Sequence, residues 1–222
     1  LRFDALHAQA SLVELALHDD ALARAFALGA GVIGVTTAHA LRAEGHEGAI
    51  TEKTGSTGSL FFVSLRQDFR VGGERRLSER QDLVYRADPV PGQAAVVYPV
   101  AADLGAPVAV MDLPSDPVLL FRFSALTFNG HRIHYDRTYA TGVEGYADLV
   151  VHGPMQAMWM LNLAAQVLGG CPGRFAYRGM SPLTVGEPIL VEAHQASDGS
   201  LALRVRKEGG PVTMTATATA QI

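Results

Sequence analysis

The densest run of side chains able to do chemistry in this chain is Thr127-Phe128-Asn129-Gly130-His131-Arg132-Ile133-His134-Tyr135-Asp136. Imidazole titrates close to neutral pH, so His131 and His134 are suited to take up a proton and return it. Further on, His152-Gly153-Pro154 opens a long apolar run. Proline suits the first position of a helix, and a helix N-terminus offers oriented N–H groups at the positive end of its dipole. Such donors can hold a negative charge developing on an oxygen. Gly153 has no side chain and so permits close backbone approach. His152 reads equally well as a hydrogen-bonding residue at the helix start and as a contact to a bound molecule. His131, His134 and Asp136 are also of metal-ligating types, but spacing alone is weak ground for a site, and no metal is expected.

The elements that position these residues follow from periodicity and turn chemistry. From Met155 to Leu168 only Gln156, Asn162 and Gln166 are polar and none is charged. A helix so apolar is expected to be buried on most sides, ending at Gly169-Gly170. Arg174–Arg178, Pro188–Ala196, Leu201–Lys207 and Pro211–Ile222 read as strands, with hairpin turns at Asp198-Gly199 and Gly209-Gly210. Leu119 to Leu126 is read as a further strand ahead of the catalytic-looking loop. The N-terminal half opens with two helical stretches between Ala5 and Leu28, followed by strand-like runs over Ala49–Lys53, Leu60–Arg66 and Gln81–Tyr85, an antiparallel meander. Six of the eleven prolines fall between Ala87 and Pro117. That segment is read as a linker, giving an N-terminal half 1–86, a linker 87–117 and a C-terminal half 118–222.

Composition narrows the function. The formal net charge is −4 and no basic block exceeds two residues, so the electrostatic footprint of a nucleic-acid binder is missing. The helical part of the apolar run is shorter than the roughly 20 residues a membrane span requires, and no membrane role is expected. The single cysteine, Cys171, sits in a Gly/Pro turn and excludes an intramolecular disulfide and a thiolate zinc site. With no visible signal peptide, this points to a cytoplasmic location.

One buried helix followed by an antiparallel meander implies a sheet curled around that helix, the α+β geometry of a hot dog domain. Its open face and edge call for pairing, either between two halves of one chain or with a second copy in a homodimer. The run Phe128 to Asp136, with Glu144-Gly145-Tyr146, Leu149 to Pro154, Tyr177 to Leu183 and Val185-Gly186-Glu187, resembles the MaoC-like hydratases and dehydratases. The likeness is to the branch of hydroxyacyl-thioester dehydratase type 2 and mesaconyl-CoA or itaconyl-CoA hydratase. It covers the C-terminal half well. In the N-terminal half only Ile50 to Arg86 takes part, so a double hot dog with a degenerate or shortened first half is expected.

The resemblance implies reversible water addition to the double bond of an acyl-CoA thioester, the CoA compound being substrate and no cofactor being required. It implies His134 as base and the Gly153 N–H as oxyanion donor. His131 would contact substrate or water, and Arg132 and Arg178 are candidates for CoA phosphates, Arg132 also for a distal carboxylate. Many related enzymes carry an Asp where Asn129 stands, and Asn is no base at neutral pH. Three readings stay open: His134 as base with Asn129 orienting the water, a substitute carboxylate such as Asp136 or Glu144, or a chain that is not a hydratase. The Asn-x-His-Arg-Ile-His pattern of the resembling branch favours the first; a thioesterase and a non-catalytic acyl-thioester-binding subunit are the alternatives. Leu1 to Arg86 has no counterpart of the His loop, so one site per chain is expected, at the seam of the halves. An imidazole base further implies a rate that changes with pH between 5 and 9.

Overall fold

The computed structural model describes residues 47–55, 58–71, 73–86 and 97–220. The helical stretches between Ala5 and Leu28 lie outside the described residues. The chain divides into two units, Leu1–Ala94 and Ala95–Ile222. In the first, strands β1 (Glu47–Gly55), β2 (Gly58–Val71) and β3 (Glu74–Arg86) form a three-stranded antiparallel meander in the order β1-β2-β3, as the turn signals imply. Gly73 supplies a left-handed φ of 83° between β2 and β3, a conformation only glycine adopts without strain.

The second unit is a five-stranded antiparallel sheet around one long helix. Its elements are β4 (Ala109–Leu113), α1 (Pro117–Leu126), a 3-10 turn (Arg132–His134), α2 (Arg137–Gly142), α3 (Gly153–Leu168) and the strands β5 (Arg174–Gly179), β6 (Ile189–Gln195), β7 (Leu201–Lys207) and β8 (Val212–Thr219). The strand order is β4-β6-β7-β8-β5. Ile189, Val191 and Ala193 of β6, Leu201, Leu203 and Val205 of β7 and Met214, Ala216 and Ala218 of β8 alternate onto one buried face. Met160, Leu163 and Ala164 of α3 are buried with them.

Two expectations are corrected. Leu119–Leu126 is helical, not a strand: Asp116 caps the helix by accepting the Val118 N–H at 2.7 Å, Pro117 occupies its start, and Leu120 and Ser124, four residues apart, are its buried stripe. Capping and the four-residue spacing outweigh the β-compatible run Leu119-Leu120-Phe121. Second, the segment read as linker is not only connection, because Val100 bridges Pro211 and Ala109–Leu113 pairs with β6. Pro107 and Pro114 stand just outside this edge strand, where a missing N–H does no harm. As expected, α3 is buried on most sides, and Met158, Asn162 and Gln166 form its one outer face.

On the sheet face away from α3 lies a buried charge cluster. The Glu192 carboxylate accepts from Arg204 at 2.5 Å and from Arg206 at 2.6 Å, while Arg204 also donates to the Ala102 carbonyl. These bonds hold the Glu192 carboxyl below the usual carboxylate range against the opposing cost of burial.

Candidate active site

Three imidazoles from two segments converge where α1, the 3-10 turn and the start of α3 meet. The 3-10 turn exists because the chain must reverse between Asn129 and the N-cap of α2. Asn129 Oδ1 accepts the His131 N–H at 3.0 Å, closing an Asx turn, and Asp136 Oδ1 caps α2 at the Tyr139 N–H. The loop is thereby far more ordered than its polar sequence suggests. Phe128, just before Asn129, takes a left-handed φ of 52°, a strained conformation for a residue with a side chain.

His134 ends the turn and is buried. Its Nδ1 lies 2.7 Å from the Val150 carbonyl, which can only accept, so Nδ1 carries the proton. The Nε2 lone pair is left as the basic site. Burial pushes the His134 pKa down to about 4, opposed by the Val150 bond and helped by the neighbouring His131. At neutral pH it is therefore an uncharged base of fixed tautomer.

His152 is wholly buried and is the N-cap residue of α3. Its ring stacks on that of His134, with centroids 3.7 Å apart and planes 17° from parallel. The Phe123 ring of α1 also meets the His152 ring, tilted by 58° with centroids 4.8 Å apart. Burial, then the nearby His134 and His131, push its pKa down to about 3. His131 meets His134 edge-on at 5.6 Å, and burial lowers its pKa too. Its Nε2 is buried and meets no partner among the described residues.

Gly153 follows His152 directly and is buried as the first residue of α3. The first N–H groups of a helix have no partner within it, so the Gly153 N–H is available to a bound oxygen. Asn129, His131, His134, His152 and Gly153 are thus linked by bonds, ring contacts or adjacency. Arg132 and Arg178 are not. The Arg132 guanidinium points to its own surface, 2.6 Å from Asp136 and 4.1 Å over the Tyr139 ring. Arg178 is exposed on the edge strand β5, paired across to Thr215.

The two carboxylates considered as substitute bases have other work. Asp136 caps α2 and binds Arg132, bonds that hold it below the usual range, and Glu144 accepts the Tyr139 hydroxyl at 2.7 Å. No cluster of metal-ligating side chains occurs among the described residues. Sequence reasoning missed Ser124, whose hydroxyl lies 2.8 Å from His152 Nε2. Its signal was a lone hydroxyl on the buried stripe of an apolar segment, visible only if that segment is read as a helix.

All of these residues fall within the part of the chain that resembles known proteins. A family model described as hydroxyacyl-thioester dehydratase type 2 matches residues 36–185. The chain belongs to this family. Across 182 residues it is 40% identical to a mesaconyl-C(4)-CoA hydratase of Chloroflexus aurantiacus, covering 76% of this chain. The matched part spans 63% of that relative's length. A mitochondrial hydroxyacyl-thioester dehydratase type 2 of Schizosaccharomyces pombe is 40% identical over 78 residues, 34% of this chain and 26% of its own. Among solved structures, a MaoC-like dehydratase from Phytophthora capsici superposes with a TM-score of 0.59 at 16% identity, over 79% of this chain and 63% of that one. HtdX of Mycobacterium tuberculosis gives 0.57 at 16% identity, over 79% and 68%. The hot dog architecture expected for this dehydratase family is therefore shared with solved members of the MaoC-like group. No helix among the described residues is long and apolar enough to cross a membrane.

Proposed function

We propose that the chain catalyses reversible hydration of a 2-enoyl-CoA thioester, using His134 as the single acid–base group. The observation that carries this reading is the buried His134 imidazole, its Nδ1–H tied to Val150 and its Nε2 lone pair without a bond among the described residues. With its carbonyl committed to the His131 N–H, Asn129 keeps its amide N–H2 group as a donor that can orient water by its oxygen.

The steps balance with one base. Nε2 of His134 takes a proton from water as the oxygen bonds to the β-carbon, and the π electrons shift toward the thioester carbonyl. The Gly153 N–H holds the resulting enolate oxygen, aided by the helix dipole. The imidazolium then returns its proton to the α-carbon, so the base is regenerated and no cofactor enters. The burial that lowers the His134 pKa makes the imidazolium more acidic and the neutral ring correspondingly less basic, so it favours return of the proton to carbon over its removal from water.

The likeness to the Chloroflexus enzyme supports a branched five-carbon dicarboxylic acyl group, the mesaconyl group of that enzyme's name, as first choice. Because Asp136 already neutralises Arg132, the exposed Arg178 is the freer candidate for an anionic part of the substrate, and His131 Nε2 for a polar one. A cytoplasmic setting and a homodimer are proposed with this reading. The test is a screen of crotonyl-, mesaconyl- and itaconyl-CoA, following loss of the enoyl absorbance. Hydration of one of them supports the reading. Release of free CoA thiol in step with the loss of absorbance would identify a thioesterase, since cleaving the thioester removes the same chromophore, and binding by calorimetry without turnover would identify a carrier; either overturns it.

A further inference from the structure

Ser124 is the one polar side chain on the buried stripe of α1, and it makes two bonds to two different parts of the site. Its carbonyl accepts the Asn129 N–H at 2.9 Å, which starts the catalytic loop. Its hydroxyl lies 2.8 Å from Nε2 of His152, at the start of α3. Twenty-eight residues separate Ser124 from His152. One residue therefore ties the loop that carries His134 to the helix end that carries Gly153.

The hydroxyl bond is also the only one the His152 ring makes among the described residues. The ring is wholly buried and its Nδ1 meets no partner. An uncharged imidazole must place its one proton on either nitrogen, and in a dry site an unpaired polar atom is costly. The tautomer and the turn of the His152 ring therefore depend on Ser124. Because His152 lies face to face with His134, a rotation of the first ring displaces the second.

We infer that Ser124 is a positioning residue: its hydroxyl holds His152 in one tautomer and one orientation, and through the stacked rings fixes where His134 Nε2 meets water. This rests on the hydratase reading above. It does not make Ser124 a group that touches the substrate.

The test compares Ser124→Ala, which removes one buried oxygen and adds no bulk, with Ser124→Thr, which keeps the hydroxyl. Two measurements are made on the full chain: steady-state hydration of the accepted enoyl-CoA, and the imidazole nitrogen signals of selectively labelled histidine by NMR. The wild type is expected to show a single His152 tautomer. Ser124→Ala, still melting cooperatively, should show a mixture of tautomers, with kcat lowered about ten- to a hundredfold, the usual cost of losing an orienting partner, and KM nearly unchanged. Ser124→Thr should restore both the single tautomer and kcat. An Ser124→Ala variant that keeps either the wild-type tautomer signals or the wild-type kcat overturns the inference, whatever the threonine variant does. If the wild type hydrates none of the thioesters, the hydratase reading fails, while the nitrogen signals still decide whether Ser124 holds His152.

Discussion

The imidazoles of His134 and His152 lie face to face at 3.7 Å, and both rings are buried. Burial is the main reason both rings stay neutral, and for His152 the neighbouring His134 and His131 add to it. One ring of the pair is anchored to the Val150 carbonyl and the other to the Ser124 hydroxyl. The His134 ring of the stack thus presents its Nε2 in a defined place.

The pH dependence follows from that environment. The base form of His134 is the active one for hydration, and its pKa is pushed down to about 4. The rate of hydration should rise as pH climbs through that value and be level across the neutral range. The sequence alone implied a change between pH 5 and 9; burial moves the inflection below that window. An inflection near the ordinary imidazole pKa of about 6.5 would show that His134 is not the buried base described here.

Replacing His134 by alanine should lower kcat by about a hundredfold or more, the usual worth of a positioned general base. The variant retains the β4–β8 sheet, so its far-UV spectrum should stay that of the wild type. Full activity on the accepted enoyl-CoA would remove His134 from the mechanism.

Gly153→Pro removes the N–H assigned to the enolate oxygen while keeping a residue suited to a helix start. A fall in kcat of roughly a hundredfold is expected from losing one such donor. Gly153→Ala, which keeps the N–H, should lose much less unless the thioester needs the space of the absent side chain. Equal losses in the two variants would count against the donor role.

Stability should also respond to pH. His134 and His152, at about 4 and about 3, have folded pKa values below the unfolded one. The unfolded chain therefore binds more protons as pH falls, and stability is lost from about pH 6.5 downward until the folded values are reached. Urea midpoints measured between pH 7 and pH 4.5 should fall, and less so in His152→Gln. A variant with the wild-type slope would mean that His152 is not held neutral by burial.

Glu192→Ala should destabilise the second unit by about 3–5 kcal/mol, because it leaves the Arg204 charge buried without its carboxylate. Chemical denaturation would measure this. The cluster lies on the sheet face away from α3, so kcat at temperatures below melting should be unchanged.

The chemistry-bearing residues and most of the frame were readable along the chain. The histidines of the loop stand out by type, Asn129 and Gly153 were singled out through the family resemblance, Pro154 and Gly169 bound α3, and glycine turns separate β6, β7 and β8. All of these depend on neighbours within a few residues, where periodicity and turn geometry act. Leu119–Leu126 was misread because a short apolar run suits strand and helix alike, and the deciding feature was a cap, Asp116 on Val118. The tautomer of His134, the low pKa values, the stacking on His152 and the place of Ser124 could not be read this way. They arise from contacts across 16 to 28 residues, His134 with Val150 and Ser124 with His152. Local sequence chooses which groups are present, but only packing decides which of their atoms remain free.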